Sequence, residues 1–413
     1  GYWSRGLGDV YKRQTLYNSE WILKPLSELC EIVIGRTPSR SKPEYWGKEY
    51  EWLSISDMNE KKYISVTKET ITDEGASLCK DKLLSINTVV FSFKLSIGKV
   101  SILDAPMYTN EAIVGLPIKD PSLLYTDYLY YVLKTLDVSS KTDRAVMGAT
   151  LNKKKLEQIK IPLPPLEKQK RIAKILDKAD EIRHKRKESI RLTDELLRST
   201  FLDMFGDIEG KKWILFTVED IIKQRRNSIR TGPFGSKLLH SEFVDEGIAV
   251  LGIDNAVQNT FKWAKPRFIT EEKYAQLKRF TVYPDDVLIT IMGTCGRCAI
   301  VPSDCPKAIN TKHLCCITLD QTKCLPQFLH SYFLIHPEAQ KYLKMNAKGA
   351  IMDELNMTII KKLPVPLVPI DLQKDYQKIY QKYEKFKNQL QSYYQESENL
   401  FNSLLQRAFK GEL

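Results

Sequence analysis

The feature that most constrains this chain is that it contains itself twice. Trp21-Ile22-Leu23 returns as Trp213-Ile214-Leu215, 192 positions later. Leu53-Ser54-Ile55-Ser56-Asp57 answers to Leu251-Gly252-Ile253-Asp254-Asn255, and Ile71-Thr72-Asp73-Glu74 to Ile269-Thr270-Glu271-Glu272, both at an offset of 198. Ile97-Gly98-Lys99-Val100 matches Cys295-Gly296-Arg297-Cys298 at the same offset. Tyr128-Leu129 pairs with Phe328-Leu329, and Asn110 with Asn310, at 200. Ile161-Pro162-Leu163-Pro164 answers to Leu363-Pro364-Val365-Pro366 at 202. Matches in this order, with an offset that drifts slowly, describe a tandem duplication whose loops have grown slightly. A repeat of this kind sets the architecture before any single motif does.

Each half has the same internal order. Short apolar runs between turn signals, such as 88–93 and 287–291, read as strands. Helical stretches follow near 127–136 and 326–334. Pro-rich punctuation then stops regular structure, Ile161-Pro-Leu-Pro-Pro165 in one half and Leu363-Pro-Val-Pro-Leu-Val-Pro369 in the other. Beyond each lies a charged segment free of Gly and Pro that predicts a long helix. The expected fold is therefore α+β, with two mixed α/β modules at 15–160 and 207–364 and long helices at 161–206 and 365–413. Residues 1–14 carry neither an initiator Met nor apolar periodicity and read as a non-native or assembly-artefact leader.

In the second long helix the apolar positions are Leu372, Tyr376, Ile379, Tyr383, Phe386, Leu390, Tyr393, Leu400 and Leu404, with Ser397 as the polar member. Steps of four and three residues sustained this far predict a coiled-coil seam. An offset of 204 places the matching seam of the first helix on Ile172, Ile175, Ala179, Ile182 and Leu196, with polar gaps between them. That weaker seam needs the stronger one as its partner. A pseudo-twofold relation between the modules predicts that the two helices run antiparallel. Aromatic residues at this spacing could alternatively stack nucleobases, but core packing is the reading that the periodicity favours.

Composition supports a packed protein: 43% of residues are hydrophobic and 28% charged. No run approaches the roughly 18 apolar residues of a membrane span. The eight cysteines are too few for a disulfide scaffold, and the chain shows no secretory signal, so a cytoplasmic location is expected. The formal net charge of +12 invites a polyanionic partner. The surplus is uneven, however: residues 15–165 carry a net charge of only +1. DNA or RNA binding in that half must rest on local clusters.

Signatures of catalysis are missing. The sequence contains no phosphate-binding P-loop and no dinucleotide fingerprint, and its five histidines lack metal or triad spacing. Asp285 and Asp286 could open a nuclease carboxylate cluster, but the first-half counterparts are Asn87 and Thr88, and a turn before a buried strand explains both halves. Cys295 and Cys298 have zinc-ligand spacing. Their counterparts Ile97 and Val100 instead mark small apolar positions. What remains suits binding. One loop holds Arg36, Thr37, Ser39, Arg40, Lys42 and Tyr45; its counterpart in position holds Arg225, Arg226, Arg230, Ser236 and Lys237. Arginine and lysine neutralise phosphates, and arginine also reaches guanine edges in the major groove. Lys94, Lys99 and Arg297 flank a Gly-centred turn and form a second rank of candidates.

At this point the chain resembles the specificity subunits of Type I restriction–modification enzymes. The resemblance rests on Gly35-Arg-Thr-Pro-Ser-Arg-Ser-Lys-Pro-Glu-Tyr-Trp-Gly47, Trp52-Leu-Ser-Ile-Ser-Asp57, Ser96-Ile-Gly-Lys-Val100 and Ile161-Pro-Leu-Pro-Pro-Leu-Glu-Lys-Gln169. The second half contributes Thr231-Gly-Pro-Phe-Gly-Ser236 and Gly293-Thr-Cys-Gly-Arg297. It implies two target recognition domains, each reading one half of a split sequence in double-stranded DNA, with the helices forming an antiparallel coiled coil that sets the unread spacer. It also implies docking of two methyltransferase subunits that bind S-adenosylmethionine, and of restriction subunits that use ATP and Mg. This chain would hold no cofactor, metal or catalytic residue of its own. An S-like subunit serving a fused methylase–nuclease is the alternative, differing in partner rather than fold.

Overall fold

The computed structural model describes residues 18, 20–59, 61–136, 143–145, 148–263, 265–347 and 355–413, so the leader expected at 1–14 lies outside the described residues. The chain divides into two compact units, residues 1–187 with 393–413, and residues 188–392. Each long helix, α1 (Leu166–Phe205) and α2 (Ile370–Lys410), contributes one segment to each unit.

In the first unit, a five-stranded sheet runs in the order Val33–Ile34, Ile113–Leu116, Val89–Ser92, Val100–Leu103, Tyr63–Ile64. A three-stranded sheet places Trp46–Leu53 between Glu69–Ile71 and Tyr108–Thr109. The pair Ile22–Pro25 and Lys160–Leu163 closes the unit next to α1. The second unit repeats this plan. Val287–Thr290 lies between Leu314–Ile317 and Cys298–Ile300, Ile248–Leu251 lies between Phe268–Ile269 and Ala308–Asn310, and Leu215–Thr217 pairs with Pro364–Pro366. The central strands 89–92 and 287–290 are buried at every position, which is why both read as unbroken apolar runs. The duplication legible in the sequence is thus a duplication of sheets, turns and helices.

Both long helices start directly after proline and end at glycine. Gly206 donates its N–H to the Leu202 carbonyl at 2.8 Å. Gly411 closes α2 with a φ of +81°, a left-handed conformation that glycine adopts at little cost.

Within each unit the helix segments run antiparallel, as expected. In the first, the Lys168 ammonium donates to the Gly411 carbonyl at 3.1 Å, and Arg183 pairs with Glu398 at 3.1 Å. In the second, Asp194 accepts from Tyr383 and pairs with Lys387 at 2.7 Å, while Phe201 packs edge-on to Tyr376.

The register of the seam needs correction. Tyr376, Tyr383, Leu390, Ser397 and Leu404 all face inward or partly inward, as predicted. Beyond the first turn the alternate positions slip by one: Tyr380, Lys387, Tyr394 and Phe401 turn inward in place of Ile379, Phe386, Tyr393 and Leu400, whereas Leu372 stays partly buried against the core of the second unit beside the buried Gln373. Ile379, Phe386, Tyr393 and Leu400 are 38%, 52%, 48% and 53% exposed. On α1, Leu197 at 8% replaces Leu196 at 66%, and Leu176 replaces Ile175 as the fully buried member. Ile172 and Ala179 are buried as expected, whereas Ile182 is exposed. Frames of 4-3 and 3-4 steps share every second residue, and burial chose the frame whose other members fit beneath the sheets and the partner segment.

Candidate nucleic-acid interface

Four turns adjoin one another in each unit, tied by bonds such as Asn110 N–H to the Leu53 carbonyl in the first and Thr311 N–H to the Leu251 carbonyl in the second. In the first, Gly35 lies against the carbonyls of Thr109 and Asn110, where a Cβ would come within 2.3 Å of either oxygen. In the second, Gly232 lies against Asn310 and Thr311, a Cβ there coming within 2.1 Å of the Asn310 carbonyl. No side chain fits at either place. These two glycines are therefore structural equivalents. The third turn of each unit, closed by Gly98 and Gly296, is built alike: Ser92 and Thr290 hydroxyls accept from the N–H of Lys99 and Arg297, each at 2.9 Å. The fourth contains Ser54–Asp57 or Gly252–Asn255, where Asp57 and Asn255 accept from the backbone N–H of Ser54 and Gly252 at 3.0 and 2.9 Å.

In the first unit the Arg36 guanidinium donates to the Leu78 carbonyl at 2.8 Å, and the Arg36 carbonyl accepts from the Trp52 indole at 3.1 Å. Thr37 donates to the Glu111 carboxylate, and Ser39 sits beside the Ser41 hydroxyl at 2.9 Å. Arg40 engages Glu69 through both terminal nitrogens and lies over the Trp46 ring at 4.5 Å. This hydrogen bond holds the Glu69 carboxyl below its ordinary range. A shallow cleft of about 480 Å³ opens beside Arg40, Trp46 and Glu69. Lys42 donates to the Tyr45 hydroxyl at 3.1 Å, Lys94 lies over the Phe93 ring at 5.3 Å, and Lys99 donates to the Ile55 carbonyl at 3.0 Å.

The second unit departs from the expected pairing of loops. Gly232, not Arg225, is the counterpart of Gly35, so Pro233 takes the place of Arg36. Arg225 and Arg226 lie at the other end of the short strand Ile229–Thr231, whose Ile229 pairs with Ile317 and Thr231 with Cys315. Both are exposed, and Arg225 stacks on Tyr283 at 4.2 Å. Lys237 and Arg297 are exposed; the Ser236 side chain lies outside the described residues.

Arg230 is not a free cation. Its side chain is 4% exposed and ion-paired with Asp286, which is fully buried. Asp286 also accepts from the Tyr283 N–H at 2.8 Å and the Thr318 hydroxyl at 2.5 Å. These contacts remove Arg230 from the interface and Asp286 from any nuclease reading, because the carboxylate is fully occupied inside the unit. Asp285 and Asn87 both adopt positive φ, +66° and +64°, which identifies the shared feature as a turn. Cys298 is buried in a strand and Cys295 packs at the core edge, as Val100 and Ile97 do.

Three of these turns in the second unit, those after Gly232, at Gly252–Asn255 and at Asn310–Thr311, border a cleft of about 590 Å³. Its lining includes Pro233, Ile253, Asp254, Arg267, Lys312 and His313. Burial and the adjacent Lys312 and Arg267 cations hold His313 below the usual histidine value. Asp254, Arg267, Lys312 and His313 escaped the reading of the sequence. The signal was present, since Arg267 stands two residues before Ile269 just as Glu69 stands two before Ile71, a reversal of charge between aligned positions.

Two segments, residues 18–192 and 212–398, each match the family described as the Type I restriction modification DNA specificity domain. The chain belongs to that family. Its two DNA specificity domains together account for most of its length. The Type I restriction enzyme MjaIX specificity subunit of Methanocaldococcus jannaschii is 27% identical over 206 residues, 49% of this chain and 47% of that protein. The chain thus spans about half the length of this relative. The MjaVIII specificity subunit of the same organism is 23% identical over 370 residues, covering 86% of this chain and 84% of its own. In fold, the chain is similar to the S subunit of a Type I restriction-modification system from M. genitalium. The TM-score is 0.55 at 15% identity, over 95% of this chain and 97% of that one. Among the described residues, no helix is long and apolar enough to cross a membrane.

Proposed function

We propose that this chain is the non-catalytic DNA-specificity subunit of a Type I restriction–modification complex, in which each unit reads one half of a bipartite double-stranded target. The observation that carries this reading is the doubled interface: two copies of one turn cluster, on two copies of one DNA specificity domain. The bases are read by side chains on those turns, and phosphate contacts from neighbouring lysines and arginines set the pose. In the first unit the candidates are Arg36, Thr37, Ser39, Arg40, Lys42 and Lys99; in the second, the cleft residues join Lys237 and Arg297.

Two methyltransferase subunits, which hold S-adenosylmethionine, dock on the helices, and restriction subunits using ATP and Mg complete the assembly in the cytoplasm. The seam correction supports this reading. Each unit exposes a pair of apolar side chains seven residues apart on α2, Ile379 with Phe386 and Tyr393 with Leu400. Exposed apolar pairs of this kind suit partner helices better than solvent.

Methylome sequencing of a strain carrying the complete system tests the proposal. The expected result is one bipartite motif with a fixed spacer. Exchanging residues 15–160 for the equivalent segment of a relative should alter one half-site; alteration of both would overturn the two-module reading.

A further inference from the structure

We infer that the second unit recognises a guanine through Arg267, with Asp254 fixing the guanidinium; the inference rests on the DNA-specificity reading above. Arg267 lines the cleft and is 29% exposed. Asp254 accepts from its Nη2, while its Nε is buried without a partner among the described residues. One carboxylate contact therefore orients the group but leaves most of its five donors unused. In the major groove, guanine N7 and O6 form the adjacent acceptor pair that a fork of this geometry engages.

The backbone is shaped for this side chain. A Cβ at Gly252 would stand 2.5 Å from Arg267 Nη2 and 2.8 Å from Asp254 Oδ1. Any residue larger than glycine would displace the ion pair from its place across the turn. Lys312 and His313 border the same cleft, and the Thr311 hydroxyl beside them is buried without a partner. The lysine suits a phosphate contact that sets the pose.

The first unit shows that this arrangement is specific to the second. There the positions of Gly252, Asp254 and Arg267 hold Ser54, Ser56 and Glu69. Glu69 engages both terminal nitrogens of Arg40, whose guanidinium lies over Trp46. That guanidinium commits both terminal nitrogens to one carboxylate, whereas Arg267 commits only its Nη2. One architecture thus carries opposite charge at one place, as two modules reading different sequences require. The guanine should therefore fall in a single half-site, the one assigned to the second unit by the exchange of residues 15–160.

The test uses the complete methyltransferase assembly and a set of duplexes carrying the methylome-derived site, each with one base pair replaced. Arg267→Lys keeps the charge and loses the fork. It should reduce discrimination at one G·C pair of one half-site by roughly 5- to 150-fold, leaving the other half-site and spacer unchanged. Asp254→Asn should weaken discrimination at the same pair. Lys312→Ala should weaken all duplexes alike and flatten the salt dependence. Thermal melting of each variant separates a lost contact from a lost fold, and Arg267→Gln provides a second substitution should Arg267→Lys melt early. Unchanged discrimination in a folded variant, or uniform weakening by Arg267→Lys, would overturn the guanine assignment while leaving the specificity reading intact. A wild-type assembly without bipartite preference would overturn both.

Discussion

Gln169 and Gln373 make the same three hydrogen bonds 204 residues apart. Gln169 accepts from the Tyr125 N–H at 2.9 Å and donates to the Leu123 and Pro164 carbonyls at 2.8 and 2.9 Å. Gln373 accepts from the Leu325 N–H at 2.8 Å and donates to the Lys323 and Val368 carbonyls at 3.0 and 2.9 Å. Each amide is buried in the first turn of a long helix and ties it to the start of a short helix of its own unit. Its three partners are backbone groups that a buried site cannot leave to water. Gln169→Leu and Gln373→Leu should each destabilise their unit by at least about 1–3 kcal/mol, the cost of a buried polar group left unpaired. Denaturant unfolding of the full chain measures this, and a loss below about 0.5 kcal/mol would refute the stapling role.

The Arg230–Asp286 pair makes a distinct prediction. Removing one partner strands a buried charge, so Arg230→Met or Asp286→Leu alone should cost about 3–5 kcal/mol. The double substitution should recover much of that loss. If instead Arg230→Met left stability unchanged and weakened DNA binding, the residue would belong to the interface after all.

The corrected register separates neighbours that look alike in sequence. Leu197→Ala should cost about 2–5 kcal/mol, because the cavity opens against Phe201 and the sheet of its unit. Leu196→Ala should stay within about 0.5 kcal/mol. Phe386→Ala should likewise spare stability and reduce capture of the methyltransferase subunit in a pull-down from purified components. Equal stability losses at 196 and 197 would restore the original frame.

His330 adds a pH dependence. Its Nε2 lies 2.9 Å from the Asn259 carbonyl and 3.1 Å from the Cys298 carbonyl, so that nitrogen carries the proton, and burial holds the ring below the usual histidine value. His336 is shifted the same way by burial. In the unfolded chain both rings take up a proton as pH falls through 6.5, while the folded unit resists it. The stabilisation is therefore complete above that value and is lost as pH drops below it. The urea midpoint should fall between pH ~7.5 and ~5.5, and His330→Gln should flatten that slope. A midpoint independent of pH across this range would count against the assignment.

The sequence alone set the duplication and the order of sheet, helix, proline and long helix in each half. These follow from properties that each segment carries locally: unbroken apolar strands, proline stops and glycines at turns. It left undetermined which frame of the heptad faces inward, since Tyr376, Tyr383, Leu390, Ser397 and Leu404 belong to both frames. It also left undetermined which cations are free. Arg230 and Arg225 are equally basic in sequence, yet one is neutralised by Asp286 across the sheet and the other stands exposed on Tyr283. Arg267 gained its place from Gly252 and Asp254 on a neighbouring turn. The freedom of a charge and the inward face of a helix both depend on what packs opposite, and that partner is set by tertiary contacts between residues far apart in the chain.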